Sequence, residues 1–315
     1  MSYSIDISEV GPAEYPLIKV LRDTIFEEYS HRFSTSFEEI IEDKRDVLAL
    51  IAHLEGNPVG YKLGYRERPG HYHSWTGGVL KEYRGQGIAA RMQAWQHAWL
   101  RARGYRSVSF NSFNKFRQML QFGLASGFVP DGVNVRPEGE LAIHFVKDLS
   151  QPDSPPREKR PALEVHVESV GPNYHGLIAQ LASETVEPVS EPDIDREMAG
   201  QNALALVAFA DGRPVGFKIG RGREGRRRLF TSRLGGVMNE YRGRGVASAL
   251  ARHQIRAVAG MGYPAIRCHV KNDNVPMLRM ALHEGFGIIG MIFHEGRKMA
   301  LVGLERPIDP ERDRG

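Results

Sequence analysis

The chain carries one stretch of sequence twice. Residues 77–128 align with residues 235–286 without a gap, 158 positions apart from Gly77 to Gly235. GGVLKEYRGQGIAARM in the first copy becomes GGVMNEYRGRGVASAL in the second, ARGYRSVSF is echoed by AGMGYPAIRC, and LQFGLASGF by LRMALHEGF. Upstream, GNPVGYKLG answers GRPVGFKIG, and SEVGPAEY answers ESVGPNYH. Solenoid units repeat every 20–50 residues or so; a period this long is that of a whole domain. The sequence therefore reads as one fold used twice, and each inference about one copy has a control in the other.

Composition fits two globular domains. The chain has 315 residues, 41% apolar and 25% charged, enough for each half to bury a core. A single cysteine, Cys268, rules out an internal disulfide and a cysteine-rich metal site. No cluster has metal-ligand spacing, so no metal is expected. The N-terminus, MSYSIDISEV, has neither the basic nor the apolar region of a signal peptide, and a cytoplasmic location is expected. No run approaches the roughly 18 apolar residues of a membrane span. A net charge of +4 does not imply nucleic acid, and it equally suits an anionic cofactor.

Between the copies, LSQPDSPPREKRPALE holds four prolines and no apolar period, which reads as a surface linker. The expected division is a domain over 1–150, a linker over 151–161, a second domain over 162–306 and a polar tail over 307–315, frayed at its end. Proline-rich chain spans at most about 3.1 Å per residue, so such a linker keeps the halves within about 40 Å. The expected assembly is a monomer with pseudo-symmetric halves or a homodimer.

Within each copy the elements alternate. Residues 3–10 alternate as a strand, a helix is expected over 13–30 and another near 36–44. DVLALIAHLEGNPVGYKLGYR reads as two apolar strands around a turn. A strand over 73–81 precedes a helix from Gly87 to about Arg103, with Ile88, Met92, Trp95 and Trp99 on one face. A strand over 105–111 and a helix near 115–125 follow, with Gly127 as the stop. The second copy repeats this, with a helix over 172–187 and strands near 203–210, 214–222 and 228–238. The fold class is mixed α/β, a sheet flanked by helices.

The chemistry concentrates where the strand turns into the helix. The turn is Arg84-Gly85-Gln86-Gly87-Ile88-Ala89 in the first copy and Arg242-Gly243-Arg244-Gly245-Val246-Ala247 in the second. Glycines there let the backbone come close to a ligand and adopt positive φ. The first amides of a helix lack intrahelical acceptors, and the helix dipole favours an anion beside them. A strand, a glycine-rich turn and a helix describe a pyrophosphate cradle; the same glycines also serve a tight turn alone. The Rossmann and P-loop patterns are absent.

Arg84-x-x-Gly87-x-Ala89 and Arg242-x-x-Gly245-x-Ala247 resemble the [Q/R]-x-x-G-x-[G/A] signature of the GCN5-related N-acetyltransferase superfamily. The preceding strands GGVLKEY and GGVMNEY, and the stretch from Asn274 to Phe286, strengthen the resemblance. It covers almost the whole chain as two domains in tandem. It implies a mainly antiparallel sheet splayed open between its fourth and fifth strands, in the acyl-CoA N-acyltransferase fold. It implies acetyl-CoA, or another acyl-CoA, in the splay. The amides of the two turns would hold the pyrophosphate, while Val79 and Leu80, or Val237 and Met238, would pair with the pantetheine arm. The Gly77 or Gly235 amide would polarise the thioester carbonyl, and Asn274 would contact the pantetheine region. The implied reaction is direct attack by a primary amine.

The two copies depart from that family pattern differently. The position of a frequent catalytic glutamate, eleven residues before the signature arginine, is His73 in one copy and Thr231 in the other. Histidine suits a general base; threonine does not. The frequent acid, a tyrosine four residues before the Gly-Phe pair, is replaced by Gly123 and Ala281. Asn274 has Phe116 as its counterpart. Asn272 and Asn274 also read as helix N-caps.

Three weaker candidates remain. Glu27, Glu28 and Tyr29 stand where the family's acceptor pocket lies, and an acidic pair suits a cationic amine; a solvated helix face is the plainer reading. Glu187 and Glu191 are the acidic residues of the corresponding region in the second copy. The run RGREGRRRLF is a basic loop open to a cofactor phosphate, too short for a nucleic-acid surface. The sequence thus points to an acetyl-CoA-dependent N-acetyltransferase acting on a small amine. An acyl-CoA-binding pseudo-enzyme and a protein lysine acetyltransferase are the alternatives.

Overall fold

In a computed structural model of the chain, residues 4–27, 41–151, 160–200, 202–225, 228–293 and 300–314 are described. The first repeat runs β1 (Ile5–Val10), α1 (Tyr15–Ile25), β2 (Arg45–Leu54), β3 (Asn57–Arg68), β4 (His71–Val79), α2 (Ile88–Ala102), β5 (Ser107–Phe113), α3 (Arg117–Ala125), β6 (Val129–Val135) and β7 (Leu141–Asp148). The second runs β8 (His166–Ser169), α4 (His175–Thr185), α5 (Glu191–Met198), β9 (Ala203–Ala210), β10 (Arg213–Arg223), β11 (Leu229–Val237), α6 (Val246–Gly260), β12 (Ala265–Lys271), α7 (Val275–His283), β13 (Gly287–Phe293) and β14 (Ala300–Pro307), then a short α8 (Pro310–Asp313). The helix expected near 36–44 falls mostly outside the described residues.

Each repeat builds a seven-stranded sheet. The orders are β1-β2-β3-β4-β5-β7-β6 and β8-β9-β10-β11-β12-β14-β13, the same arrangement twice. Every neighbouring pair in the second sheet is antiparallel except β11/β12, and in the first β4/β5 is likewise parallel. Both parallel pairings are three residues or shorter. β4 and β5 are paired only from His71↔Ser107 to His73↔Ser109, and β11 and β12 only at Phe230↔Ile266 and Thr231↔Arg267. Beyond those residues the strands part, and each sheet has a splay at the same place.

Period-2 burial fixes which face each strand shows. On one face of the first sheet Ile18 and Leu21 of α1 pack on Ala49, Ile51, Tyr61 and Leu63. On the other, Ile88 and Met92 of α2 pack on Ala52, Leu54, Val59 and Val79. Each Val, Leu, Ile or Met side chain so enclosed contributes about 1.5–3 kcal/mol. In the second repeat Ile178, Leu181 and Ala182 of α4 cover Ala205, Val207, Phe217 and Ile219.

The chain divides into two compact units that do not follow the repeat. One comprises Met1–Ser112, Ser126–Val129 and His144–Asp153; the other comprises Phe113–Ala125, Pro130–Ile143 and Ser154–Gly315. Inside the second unit α3 packs on α7. Asn114 Nδ2 donates to the Ile288 carbonyl at 2.7 Å, and the Ile288 N–H donates back to Asn114 Oδ1 at 2.9 Å. Its repeat counterpart Asn272 donates to the carbonyl of Pro130, the counterpart of Ile288, at 3.1 Å. Proline has no N–H to return the bond, and Asn272 Oδ1 accepts from Ala300 instead.

Two expectations are corrected here. Trp95 and Trp99 are only partly buried; the buried face of α2 is Ile88, Met92, Gln93, Gln96, His97 and Leu100. Trp99 instead closes the edge of the core, stacked on Tyr105 and covered by Arg103. The described C-terminal residues are bonded to the second domain rather than forming a loose tail. Asp309 caps α8 through the Glu311 and Arg312 amides, and buried Asp313 holds Arg306 by two bonds of 2.7 Å.

Candidate functional site

The two turns have the geometry of a cradle. Gly85 and Gly87 have φ of +81° and +80°, and Gly243 and Gly245 of +76° and +94°. These left-handed values strain any residue with a Cβ. No atom lies within 4 Å of the Cβ position at any of the four, so the space over each turn is open. Gly87 and Gly245 are the N-caps of α2 and α6, and neither helix receives a side-chain cap. Their first-turn amides are therefore exposed to whatever occupies that space. The signature arginines face inward: Arg84 Nε donates to the Val79 carbonyl at 3.0 Å, and Arg242 Nε to the Val237 carbonyl at 2.9 Å. They tie strand end to turn. Arg244 holds the end of the linker and the start of the second domain, its Nε donating to the Pro161 carbonyl and its own carbonyl accepting from the Leu163 N–H.

Backbone alternation decides which strand groups face the splay. The Leu80 N–H donates to the Val59 carbonyl, and the Leu80 carbonyl accepts from Tyr83. Met238 does the same with Val215 and Tyr241. Both groups of Leu80 and of Met238 thus have a partner, and each carbonyl keeps one further lone pair. In an antiparallel ladder hydrogen-bonded and non-hydrogen-bonded pairs alternate. With Leu80↔Val59 bonded, Gly60↔Val79 and Lys62↔Gly77 are non-bonded pairs, and the Gly77 and Val79 amides point away from β3, toward the splay. The same parity turns the Gly235 and Val237 amides into the second splay. A side chain at Gly78 would strike Ile25, and one at Gly236 would strike Thr185, so these glycines let the ends of α1 and α4 close on the strand.

His73 stands at the vertex of the first splay. It is 6% exposed. Its Nδ1 lies 3.0 Å from Ser109 Oγ, and Ser109 Oγ lies 3.0 Å from His71 Nε2. His71 Nδ1 is 2.7 Å from Ser107 Oγ, and His71 Nε2 is 3.3 Å from Glu67, a residue 44% exposed. Tyr65 packs against both His73 and Trp75. Burial pushes the His73 pKa down to about 4, so its imidazole is neutral at pH 7. In the second domain the vertex holds Thr231 and Arg267, and Arg267 is paired with Glu305 at 2.9 Å through Nε.

Among the remaining candidates, Glu27 is exposed beyond the end of α1, and Glu28 and Tyr29 lie outside the described residues. Asn274 caps α7 by accepting from the Met277 N–H at 3.3 Å; Asn272 is no cap, its amide being held by Pro130 and Ala300. In the basic loop Arg228 is bonded to Glu224 and to the carbonyls of Met261 and Gly262; Arg226 and Arg227 are outside the described residues. Among the described residues no helix is long and apolar enough to cross a membrane, and no cluster of His, Cys, Asp or Glu is placed to hold a metal ion.

Sequence reasoning missed Lys62, Lys218, Gln96 and Gln254. Each pair recurs at one position of the repeat, which is the signal that finds them; Gln96, Gln254 and Lys218 are buried and Lys62 is half-buried. Burial pushes the Lys62 pKa down to about 8 and lowers that of Lys218 as well.

The profile of the Acetyltransferase (GNAT) family matches residues 15–121 and 174–287, more than half of the chain. Among solved structures, the acetyltransferase of GNAT family from Streptococcus pneumoniae is 15% identical, with a TM-score of 0.40 over 46% of this chain and 100% of its own. The ribosomal-protein-S18-alanine N-acetyltransferase from Escherichia coli is 16% identical, with a TM-score of 0.41 over 46% of this chain and 95% of its own. The NatC complex bound to Gag peptide and CoA matches with 16% identity and a TM-score of 0.41, over 47% of this chain and 100% of that one. Two matched segments, each with its own splay and glycine turn, lead to one conclusion: the chain belongs to the GCN5-related acetyltransferase family and carries two of its domains in tandem.

Proposed function

We propose that the protein is an acetyl-CoA-dependent N-acetyltransferase for a small primary amine, that both domains bind the acyl-CoA, and that the first domain catalyses. The residues fit the cofactor: each turn leaves an open cradle that a single Cβ would enter, with uncapped helix amides beneath it. In the first domain the amides of Gln86, Gly87, Ile88 and Ala89 would hold the pyrophosphate, and the Val79 amide the pantetheine arm; in the second, Arg244, Gly245, Val246, Ala247 and Val237 would do so. When bound, an acyl-CoA supplies a thioester whose acyl carbon is open to a neutral amine: the N–C bond forms, the C–S bond breaks and the thiol leaves. The Gly77 amide, turned into the splay, would donate to the carbonyl oxygen as charge develops there.

The observation that carries the catalytic assignment is the chain Glu67–His71–Ser109–His73, for which the second domain has no counterpart at its vertex. With Nδ1 on Ser109, His73 has Nε2 left to accept a proton from the attacking nitrogen. A base with a pKa near 4 does not keep that proton. It would pass from His73 Nδ1 to Ser109 Oγ and from Ser109 to His71 Nε2, beside the partly exposed Glu67 carboxylate. The relay compensates for the depressed basicity of a buried histidine. The second domain, with Thr231 at this position, would bind acyl-CoA without turnover. A thiol-release assay on the full chain, with acetyl-CoA and a panel of small amines, tests the reading. Release dependent on one amine class is expected; binding of acetyl-CoA with no amine-dependent release overturns catalysis and leaves the sensor reading.

A further inference from the structure

Both domains set a lysine behind the glycine whose amide faces the splay, half-buried in the first domain and buried in the second. Lys62 on β3 opposes Gly77, and Lys218 on β10 opposes Gly235. These are non-hydrogen-bonded pairs, in which facing side chains come closest. The glycine contributes none: a Cβ there would meet the lysine Cγ at 3.4 Å in the first domain and 3.3 Å in the second. Each lysine stem therefore lies over its glycine, on the face covered by α2 or α6. On that face a Cβ on Gly60 would meet Met92 at 3.3 Å, and one on Gly216 would meet Leu250 at 3.4 Å. One helical turn further on come Gln96 and Gln254. They are 1% and 0% exposed, and both polar atoms of each side chain lack a hydrogen-bond partner among the described residues. An enclosed, unpartnered amide is destabilising, and here it recurs at one position of both domains.

The lysine heads have no carboxylate to answer them among the described residues. The group acting on Lys218 is the buried thiol of Cys268, on the first residue of β12 beyond the last β11/β12 pair. β11, with Gly235, lies between Lys218 and Cys268, so the stem of Lys218 is directed across Gly235 toward β12. Phe110 occupies the position of Cys268 in the first domain. Because both lysines recur while the His73 relay does not, their role belongs to what the domains share, the thioester end of the cofactor, rather than to the acceptor amine.

We propose that Lys62 is the proton donor to the sulfur that leaves the thioester, standing in for the tyrosine missing at Gly123, and that Lys218 presents the same ammonium to the sulfur of an acyl-CoA held in the second domain; Gln96 and Gln254 are positioning residues that keep a polar environment around each amine. The assignment rests on the acyl-CoA reading above. Lys62 Nζ gives one proton to the departing sulfur, which becomes a thiol, and regains one from solvent, while His73 takes one from the attacking nitrogen, so the transfers balance. An ammonium near 8 is acidic enough to protonate a thiolate at least as basic as that of cysteine, whose ordinary value is about 8.5.

The test uses the full-length protein and free CoA. The thiolate absorbance of bound CoA is followed against pH while calorimetry reports binding. The bound thiol should ionise about one pH unit or more below free CoA, as beside any desolvated cation. In the Lys62→Met, Lys218→Met double variant that shift should vanish while CoA still binds. Should the double variant fail to fold, Lys62→Arg and Lys218→Arg serve: the thiol shift should persist, and the loss of kcat above about pH 8 expected of wild type should move to higher pH. A bound thiol that titrates alike in wild type and the double variant, or an alkaline limb unmoved by Lys62→Arg, overturns the lysine assignment alone. Wild-type protein that binds no CoA overturns the acyl-CoA reading and this inference with it.

Discussion

The two splays have one backbone and two chemistries. Both open just past a short parallel ladder, both turn a glycine amide inward, and both end in an open left-handed glycine turn. At the vertex they differ. The first places two histidines, two serines and a glutamate in one bonded chain. The second places Leu229, Thr231, Ala265 and Arg267 at the corresponding positions, with Arg267 locked to Glu305. On the proposed reading, the fold preserves what a cofactor needs, which is mostly backbone, independently of what an acceptor needs, which is side chains. A duplicated domain can lose the second and keep the first.

The largest expected effect tests what is shared. Gly87→Val and Gly245→Val each put a β-branched side chain into the open cradle, at a φ it resists. Each should weaken acetyl-CoA at its own site by about 100-fold or more, roughly 3 kcal/mol, and leave the other site intact. Titration calorimetry should count one strong site in either variant and two in wild type. Two sites in both variants would remove the cradle from the account.

An effect of similar size sharpens what differs. His73 has a folded pKa near 4 against about 6.5 unfolded. The unfolded chain binds more protons between those values, so stability falls as pH drops from about 6.5 to 4, by about 3 kcal/mol from this group. Urea unfolding of wild type and His73→Gln across that range should show the variant losing less. Thr231→Gln in the second domain should leave the pH dependence unchanged. Parallel curves for wild type and His73→Gln would mean that the imidazole is not desolvated.

The seam within the second unit offers the smallest effect. Asn114→Ala removes both bonds to the Ile288 backbone, and at roughly 1 kcal/mol for each ordinary bond it should cost about 2 kcal/mol in chemical unfolding. Asn272→Ala, which loses Pro130 and Ala300, should cost a similar amount. No measurable cost in either would discount the bonding of α3 and its neighbours to the second repeat.

How much of this was legible in the sequence follows from the same contrast. The repeat, the splayed sheet and the glycine turns were readable because apolar period and glycine report backbone directly. Lys62, Gln96, His97 and His71 were not, because a hydropathy reading sends polar side chains to solvent; Trp95 and Trp99 took their place on the expected buried face of α2. His73 was placed by its distance from Arg84, but Ser109, His71 and Glu67 were brought to it by strand register that no local pattern encodes. The same holds for α3, which sits in the first repeat by sequence and in the second unit by packing. Leu80 and Met238 stand at the strand ends by position, and the bonds their backbone groups make to Val59, Tyr83, Val215 and Tyr241 are set by register and turn rather than by any local pattern.

The central claim is that the first domain catalyses through the His73 relay and the second does not. It is tested most directly by thiol release from acetyl-CoA, with a responsive amine, in three full-length proteins: wild type, His73→Ala and Thr231→Ala. His73→Ala should lower kcat by about 100-fold with acetyl-CoA affinity unchanged, and Thr231→Ala should match wild type. A kcat that survives His73→Ala, or one that falls with Thr231→Ala, would contradict the account.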